Sequence, residues 1–176
     1  AQDFHIGLDD TADDLVIGLG STLGTTTHMA FDETGAITKP LQPSALVDIT
    51  EADNVTGSGG FVDLVAETEV YDKNADFNTG TYTFTAPVTG RYLLTIILNF
   101  AGIAAQGTGM IKIIASNRTN SLQMEIGNVT GTYGFCGSHI QDMDASDTVK
   151  WQIAVGAQGS DVIDVADGIV GVELLG

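Results

Sequence analysis

The chain has few cysteines, few basic residues and no long apolar run, and each shortage excludes something. A single cysteine, Cys136, rules out an intrachain disulfide. Six basic against 23 acidic residues give a net charge of −17, which repels nucleic acid and anionic membrane surfaces. The most apolar stretch, 92–105, is shorter than the ~20 residues of a spanning helix and contains Asn99 and Gly102. We therefore expect no nucleic-acid partner and no membrane insertion.

Glycine, by contrast, is abundant with 22 residues, and the apolar residues form short alternating segments separated by turns. This pattern predicts many short strands and favours no helix. Residues 148–155, TVKWQIAV, are typical: alternate positions place Val149, Trp151, Ile153 and Val155 on one face. On that face Trp151 is expected to pack in a core rather than to stack on a sugar ring.

Residues 76–98, DFNTGTYTFTAPVTGRYLLTIIL, are the stretch around which the chain is organised. Threonines alternate with Tyr82 and Phe84, which predicts a half-buried strand with both aromatic rings on one face. Pro87 and Gly90 predict a tight corner, and a second, more deeply buried strand follows it. We expect the two strands to be antiparallel neighbours.

Residues 1–39 differ in texture from the rest of the chain. Ile6-Gly7-Leu8 recurs as Ile17-Gly18-Leu19, and short extended pieces alternate with Gly, Asp and Thr turns. A segment this thin cannot bury its own apolar residues, so we expect an extended β neck in which three chains associate. KPLQPS at 39–44 predicts a stiff linker, which gives two parts: neck 1–39 and head domain 40–176.

The order of signals in the later three quarters resembles the globular head of complement subcomponent q and its tumour-necrosis-factor-like relatives. Phe84, Pro87, Gly90 and Tyr92 match that family's corner motif. SDTVKWQIAV at 146–155 resembles the turn and strand late in that family's sequence, although Ser146 stands where the family has glycine. GIVGVELL at 168–175 resembles its C-terminal strand, with Ile169 or Val170 in place of the family's phenylalanine. The chain also lacks an initiator methionine and a visible secretory signal, and we expect a processed chain or a fragment of a longer protein.

This resemblance implies an all-β jelly-roll sandwich that packs as a compact homotrimer. Members of that family are binding heads rather than enzymes, and some bind calcium near the trimer axis. The N-terminal segment, IGLDDTADDLVIGLGSTLGTT, is similar to stretches of marine bacteriophage tail-fibre and virion proteins. Together the two resemblances imply an extracellular protein at a virion surface, with a cell-surface glycan or protein as receptor.

Two groups of aspartates are candidate calcium ligands, because calcium prefers carboxylate and carbonyl oxygens. Neither group has EF-hand spacing, and the alternative for both is a solvated acidic turn. The first group lies in DDTADD and the second in DMDASD: Asp9, Asp10, Asp13 and Asp14, then Asp142, Asp144 and Asp147. We expect no other cofactor.

Residues suited to catalysis do not form a recognisable set in the sequence. Cys136 lies among apolar and small residues and is expected to be a buried strand residue; His139, three positions on, would lie on the opposite strand face. No histidine has a partner at zinc-like spacing. The sequence therefore predicts no enzymatic activity.

Three functions follow from these expectations. The first is a trimeric structural and binding head at the distal end of a fibre, with loops 104–108 and 158–164 as first candidates for contact. The second is a structural subunit of an extracellular filament or a capsid decoration. The third is a glycan hydrolase, because any two acidic residues could meet in the fold.

Overall fold

The computed structural model describes residues 3–127 and 131–175. The chain divides into two compact units, Ala1–Gln42 and Pro43–Gly176. Within the described ranges every regular element is a β-strand. Propensity alone would allow a helix over 61–71, but alternation in its second half predicts a strand; the structure has a strand there, Ala66–Asp72, and a second short one, Val62–Asp63.

The first unit is a four-stranded antiparallel meander in which each strand pairs with the next. Its strands are β1 (Phe4–Asp9), β2 (Asp14–Leu19), β3 (Thr27–Phe31) and β4 (Ile37–Thr38). The two Ile-Gly-Leu copies lie on paired strands, with Ile6 opposite Ile17. The glycines therefore share the other face, where a Cβ on Gly18 would lie 2.4 Å from the Thr26 carbonyl oxygen. The repeat thus gives the sheet one bulky face and one face thin enough for a loop to cover.

The second unit is a sandwich of two six-stranded antiparallel sheets. The first sheet has the order β13-β12-β15-β10-β9, with β7 paired to β15: β7 (Val62–Asp63), β9 (Phe77–Asn78), β10 (Thr83–Thr85), β12 (Gly107–Ala115), β13 (Thr119–Ile126) and β15 (Thr148–Val155). The second has the order β14-β11-β16-β5-β8, with β6 paired to β16: β5 (Ser44–Ile49), β6 (Ala52–Thr56), β8 (Ala66–Asp72), β11 (Gly90–Ile103), β14 (Gly131–Met143) and β16 (Ile163–Leu174).

The core lies between these two sheets and takes the inward-facing side chains of both. Its largest fully buried members include Phe84, Tyr92 and Phe100. On β15 the alternating set that contains Trp151 is buried, which confirms its predicted inward face and the packing of Trp151 in the core. Alternation on both sheets with one continuous core is the arrangement of a jelly-roll sandwich.

The predicted pairing within residues 76–98 is wrong, although the strands themselves are present. β10 pairs with β9 and β15, whereas β11 pairs with β14 and β16 in the opposite sheet. The corner at 86–89 is therefore a crossing between layers. Tyr82 precedes β10 with a positive φ of 55° and is only half buried, so it does not share the buried face of Phe84.

Two further expectations are corrected by the structure. Cys136 is exposed, because it points away from the core on the outer face of β14. The segment that was expected to be a stiff extended linker contains a turn, in which the Gln42 amide donates to the Lys39 carbonyl at 3.1 Å. Proline stiffens a chain locally, but it is also favoured inside turns.

Candidate binding surfaces

The outer face of the β14-β11-β16-β5 sheet carries an apolar stripe. Residues directly opposite each other in register share this face: Ile97 lies opposite Cys136 and Ile169, and Leu93 lies opposite Ile140. Ile97 and Ile140 are each 54% exposed. The members of this stripe are Leu46, Leu93, Ile97, Cys136, Ile140 and Ile169. We call this set the head stripe.

Polar groups border the head stripe at both ends of the sheet. Where β11 begins, Arg91 lies opposite Asp142. Where β11 approaches its end, Asn99 donates from Nδ2 to Asp167 Oδ1 at 2.7 Å, and Asp48 is exposed nearby on β5. An apolar centre with a polar rim is the anatomy of a protein–protein interface. The uncharged row of Thr95, Ser138 and Gly171 lies between the apolar rows of Leu93 and Ile97, and Glu173 lies opposite Leu93. Exposed apolar residues that cluster in this way mark an interaction surface more often than singly scattered ones do.

Three loops meet at the end of the sandwich that lies away from Pro43, and Gln158 joins them. Its Oε1 accepts from the amides of Ala104 and Ala105, both at 3.1 Å, and its Nε2 donates to the Ala105 carbonyl at 2.9 Å. Its own amide donates to the Gly57 carbonyl. The two loops predicted to contact a ligand, 104–108 and 158–164, are thus neighbours in the structure. A third loop, 57–60, lies beside them.

The third loop is held by an acidic residue that the sequence reading did not single out. Asp161 accepts from both the amide and the hydroxyl of Ser58, at 3.1 and 2.7 Å. Similarly, the Asn54 amide donates to Asp164 Oδ1 at 2.8 Å. The pattern NVTGSGG at 54–60 predicts a flexible loop, whereas residues 54–56 belong to β6 and the carboxylates that fix Asn54 and Ser58 lie more than 100 residues away. We call residues 57–60, 104–106 and 156–162 the loop end.

We expect Gln158→Ala to loosen the loop end without unfolding the head. Three hydrogen bonds of the Gln158 side chain fix Ala104 and Ala105, and a fourth, to the Gly156 carbonyl, stays within its own loop. The rate of amide hydrogen exchange at Ala104 and Ala105 should rise at least ~10-fold. The substitution removes the hydrogen bond that each of these amides donates, and so lowers the free energy of local opening. Unchanged exchange at these two amides would contradict the assignment, and β15 amides serve as the internal control.

The calcium candidates lie in two turns. Asp9 and Asp14 pair at the ends of β1 and β2, with Asp10 and Asp13 in the turn between them. Asp142 lies near the end of β14, and the turn that follows contains Asp144 and Asp147. Among residues 3–127 and 131–175, no three His, Cys, Asp or Glu side chains are placed to hold a metal ion. Calcium binding by either group stays a prediction of the sequence.

Asp147 already has protein donors on both carboxylate oxygens. Ser116 Oγ donates to Oδ1 at 2.6 Å, while Asn117 Nδ2 and the Asp144 amide donate to Oδ2 at 2.9 and 2.8 Å. The hydrogen bond from Ser116, and then that from the Asp144 backbone, lower the pKa of Asp147. The carboxylate therefore acts as a brace that joins the β12–β13 turn to the β14–β15 turn.

This brace predicts a pH-dependent stability. Because the pKa of Asp147 is lowered in the folded state, its contribution is present above the ordinary value of about 4 and is lost as the pH falls through the lowered value. Asp147→Ala should therefore lower the urea midpoint of unfolding at pH 7. The difference in urea midpoint between the variant and the wild type should become smaller towards pH 3. Asp53→Ala, at an exposed position of β6, is the control. If Asp147→Ala lowered the urea midpoint equally at pH 7 and pH 3, the stabilisation by Asp147 would not depend on its charge.

The structure also bears on membrane insertion and on relatives. No helix in the described part of the chain has the length and apolarity needed to cross a membrane.

No family model matches the sequence, and no curated protein matches it either. Among solved structures, the chain is similar to the globular domain of the zebrafish complement 1qA protein, with 16% identity and a TM-score of 0.57 over 77% of this chain and 98% of that one. The chain therefore contains the jelly-roll fold of a complement-q globular domain.

Proposed function

We propose that this protein is a non-enzymatic, homotrimeric structural and binding head. The observation that carries this proposal is the head stripe, an apolar surface with polar rims on a sandwich that has the complement-q fold. Three copies that pack these stripes together would remove them from water, which is the largest favourable term in association. The partner at this surface is a second and third copy of the same chain.

Recognition in this proposal belongs to the loop end. Loops on a rigid sandwich can vary without disturbing the core, and the far end of the head is left open when the sheets' outer faces are used for assembly. A trimer presents three identical loop ends, so weak individual contacts to a repeated cell-surface glycan or protein receptor add up through effective concentration. The hydrogen bonds of Gln158 and Asp161 keep these loops ordered before contact.

We place this head at the distal end of a bacteriophage tail fibre or on another virion surface, outside cells. The support is the resemblance of residues 6–26 to such proteins and the net charge of −17, which keeps copies soluble and is tolerated in a salty medium. The proposal includes no catalytic step and no cofactor. In its favour, Cys136 and His139 point to opposite faces of β14, and Asp147 is occupied by protein donors.

The test is binding of the purified trimer to host cells, compared with the Ile97→Asp variant at equal concentration of chains. Avidity predicts that the trimer binds and that a monomeric variant with an intact loop end binds at least ~100-fold more weakly. A trimer that binds no plausible host, or a monomer that binds as well as the trimer, would count against the proposal.

Phe4, Ile6 and Leu8 share one face of the first unit's sheet and are 66%, 72% and 71% exposed. This exposed apolar face favours one alternative, a structural subunit of a filament or capsid decoration. Such a subunit would assemble beyond three copies and would bind no cells. Sedimentation velocity of the full chain separates the two, since the head proposal gives one trimeric species and the filament gives a concentration-dependent series. A glycan hydrolase would release reducing ends from host polysaccharide, and we expect no such release.

A further inference from the structure

The first unit has one face that is apolar from edge to edge. Cross-strand partners share a face, so the register places Phe4 with Leu19, Ile6 with Ile17, and Leu8 with Leu15. The third and fourth strands continue it, because Leu15 lies opposite Phe31 and Phe31 opposite Ile37. The full set is Phe4, Ile6, Leu8, Leu15, Ile17, Leu19, Met29, Phe31 and Ile37. We call this set the neck face.

The opposite face of the same sheet is already covered by its own chain. Val16 and Ala30 on that side are buried, at 2% and 6% exposure. The Leu23 side chain lies against Gly7, and the Thr26 carbonyl approaches Gly18 too closely to admit a side chain there. The 20–26 loop therefore closes one side of the sheet, and the neck face is left as the open side.

The neck face is open to solvent over an area larger than the usual apolar patch of a monomer. Phe4, Ile6 and Leu8 on the edge strand are 66%, 72% and 71% exposed. With about 200 Å² for a fully exposed large apolar residue, its six most exposed side chains present on the order of 600–700 Å² of surface. That area exceeds an ordinary exposed patch and approaches the roughly 800 Å² that each partner buries in a stable protein interface.

Charge on the neck indicates how its copies are oriented. Acidic residues are concentrated at the end of the sheet that holds the β1–β2 and β3–β4 turns: Asp9, Asp10, Asp13, Asp14, Asp32 and Glu33. The nine positions of the neck face carry no charge at all. A partner of opposite charge would thus find no anchor on the face itself, whereas a second neck face offers a matching apolar surface.

The linker brings such surfaces together. β4 ends at Thr38 and β5 begins at Ser44, and the intervening segment spans at most about 18 Å even when fully extended. In a trimer of heads, three neck faces are consequently held at an effective concentration in the millimolar range. The number three rests on the proposed function; the self-association of the neck face rests on its own exposure and area.

We propose that the neck faces of three copies pack against one another as a separate, second association surface, with their covered faces outward. In this arrangement the exposed isoleucine and leucine side chains of each copy are removed from water by contact with the other two copies. The acidic turn ends of the three sheets lie side by side in this arrangement, so their mutual repulsion opposes assembly. Salt screens that repulsion, and neck association should therefore strengthen with ionic strength.

Cross-linking of the full chain tests the arrangement directly. In a Cys136→Ser background, Ile6→Cys places a thiol in the middle of the neck face, and Thr22→Cys places one in the loop on the covered side. Mild oxidation of dilute protein should give covalent dimers for Ile6→Cys and at least ~10-fold fewer for Thr22→Cys. Equal yields, or no cross-link at Ile6, would overturn the proposal.

A second measurement separates failure of the neck from failure of the head. The paired substitution Ile6→Asp with Ile17→Asp removes two contacts that lie opposite each other and should raise the dissociation constant of the assembly by at least ~100-fold, or about tenfold per buried side chain. Ile97→Asp alters only the head stripe. If Ile6→Cys still cross-links in the Ile97→Asp chain at higher concentration, the neck associates independently of the head.

Three further outcomes would contradict the proposal. An unchanged sedimentation coefficient for the Ile6→Asp, Ile17→Asp chain, with wild-type circular dichroism, would show that copies do not meet there. Flotation of the wild-type chain, but not of this variant, with neutral phosphatidylcholine vesicles would assign the face to lipid. A yield of Ile6→Cys dimers that falls as sodium chloride rises from 20 to 500 mM would contradict the side-by-side arrangement of acidic ends.

Discussion

Ile97→Asp is expected to convert the proposed trimer into monomers at micromolar concentration. Ile97 lies in the centre of the head stripe, opposite Cys136 on one neighbouring strand and Ile169 on the other, and is 54% exposed in the single chain. In a trimer its side chain would be buried, so a carboxylate there would lose solvation without gaining a partner. The dissociation constant should rise by at least ~100-fold, as measured by sedimentation equilibrium.

Val88→Asp is the matched control for this substitution. Val88 is 46% exposed, which is close to the exposure of Ile97, but it lies in the 86–89 corner and not on the head stripe. The same change in charge at this position should therefore leave the mass in solution unchanged. If both variants dissociate, net charge rather than the head stripe controls assembly; if neither does, the stripe is not the interface.

Phe84→Ala is expected to have the largest effect on stability. Phe84 is fully buried, and its ring lies 5.7 Å from that of Tyr92, which is also fully buried. Tyr92 in turn donates from its hydroxyl to the Val88 carbonyl at 2.7 Å and so fixes the crossing between the two sheets. Loss of the Phe84 ring leaves a cavity beside this crossing and should cost about 3–5 kcal/mol of unfolding free energy.

Tyr82→Ala provides the comparison, since the sequence pattern treats the two aromatic residues alike. The Tyr82 hydroxyl donates to Glu67 at 3.2 Å on the protein surface, and no core contact depends on its ring. The expected cost is below about 1 kcal/mol. Urea unfolding of both variants at one fixed protein concentration measures the difference, because association also contributes to apparent stability. Equal costs would place Tyr82 in the core and contradict the structure.

Local pattern was sufficient for several strands of the head and for their inward faces. Residues 148–155 form β15 with the predicted buried set, because alternation along one strand depends only on its own sequence. It was insufficient for pairing. The strands on either side of the 86–89 corner were predicted to be neighbours, and they lie in different sheets since β15 and β14 compete for their edges.

The candidate surfaces depended more strongly on long-range contacts. Gln158 and Asp161 fix the loop end across more than 50 and 100 residues of chain, respectively, and no local motif marks either of them. Cys136 was expected in the core because its neighbours are small and apolar, yet β14 presents it on the head stripe. An exposed apolar strand face has the same local composition as a buried one, so the two cannot be distinguished along the chain.

By itself the sequence determined the all-β class, the strongly acidic character, the absence of an intrachain disulfide and the alternation that builds a core. The tertiary structure alone decided which strands pair, which apolar faces stay open and which loops meet. The reason is physical: period and charge are properties of neighbouring residues, whereas register and layer are settled by competition among strands far apart in the chain. The neck face shows both, since the Ile-Gly-Leu repeat is visible in the sequence but only pairing reveals that its bulky residues share one uncovered side.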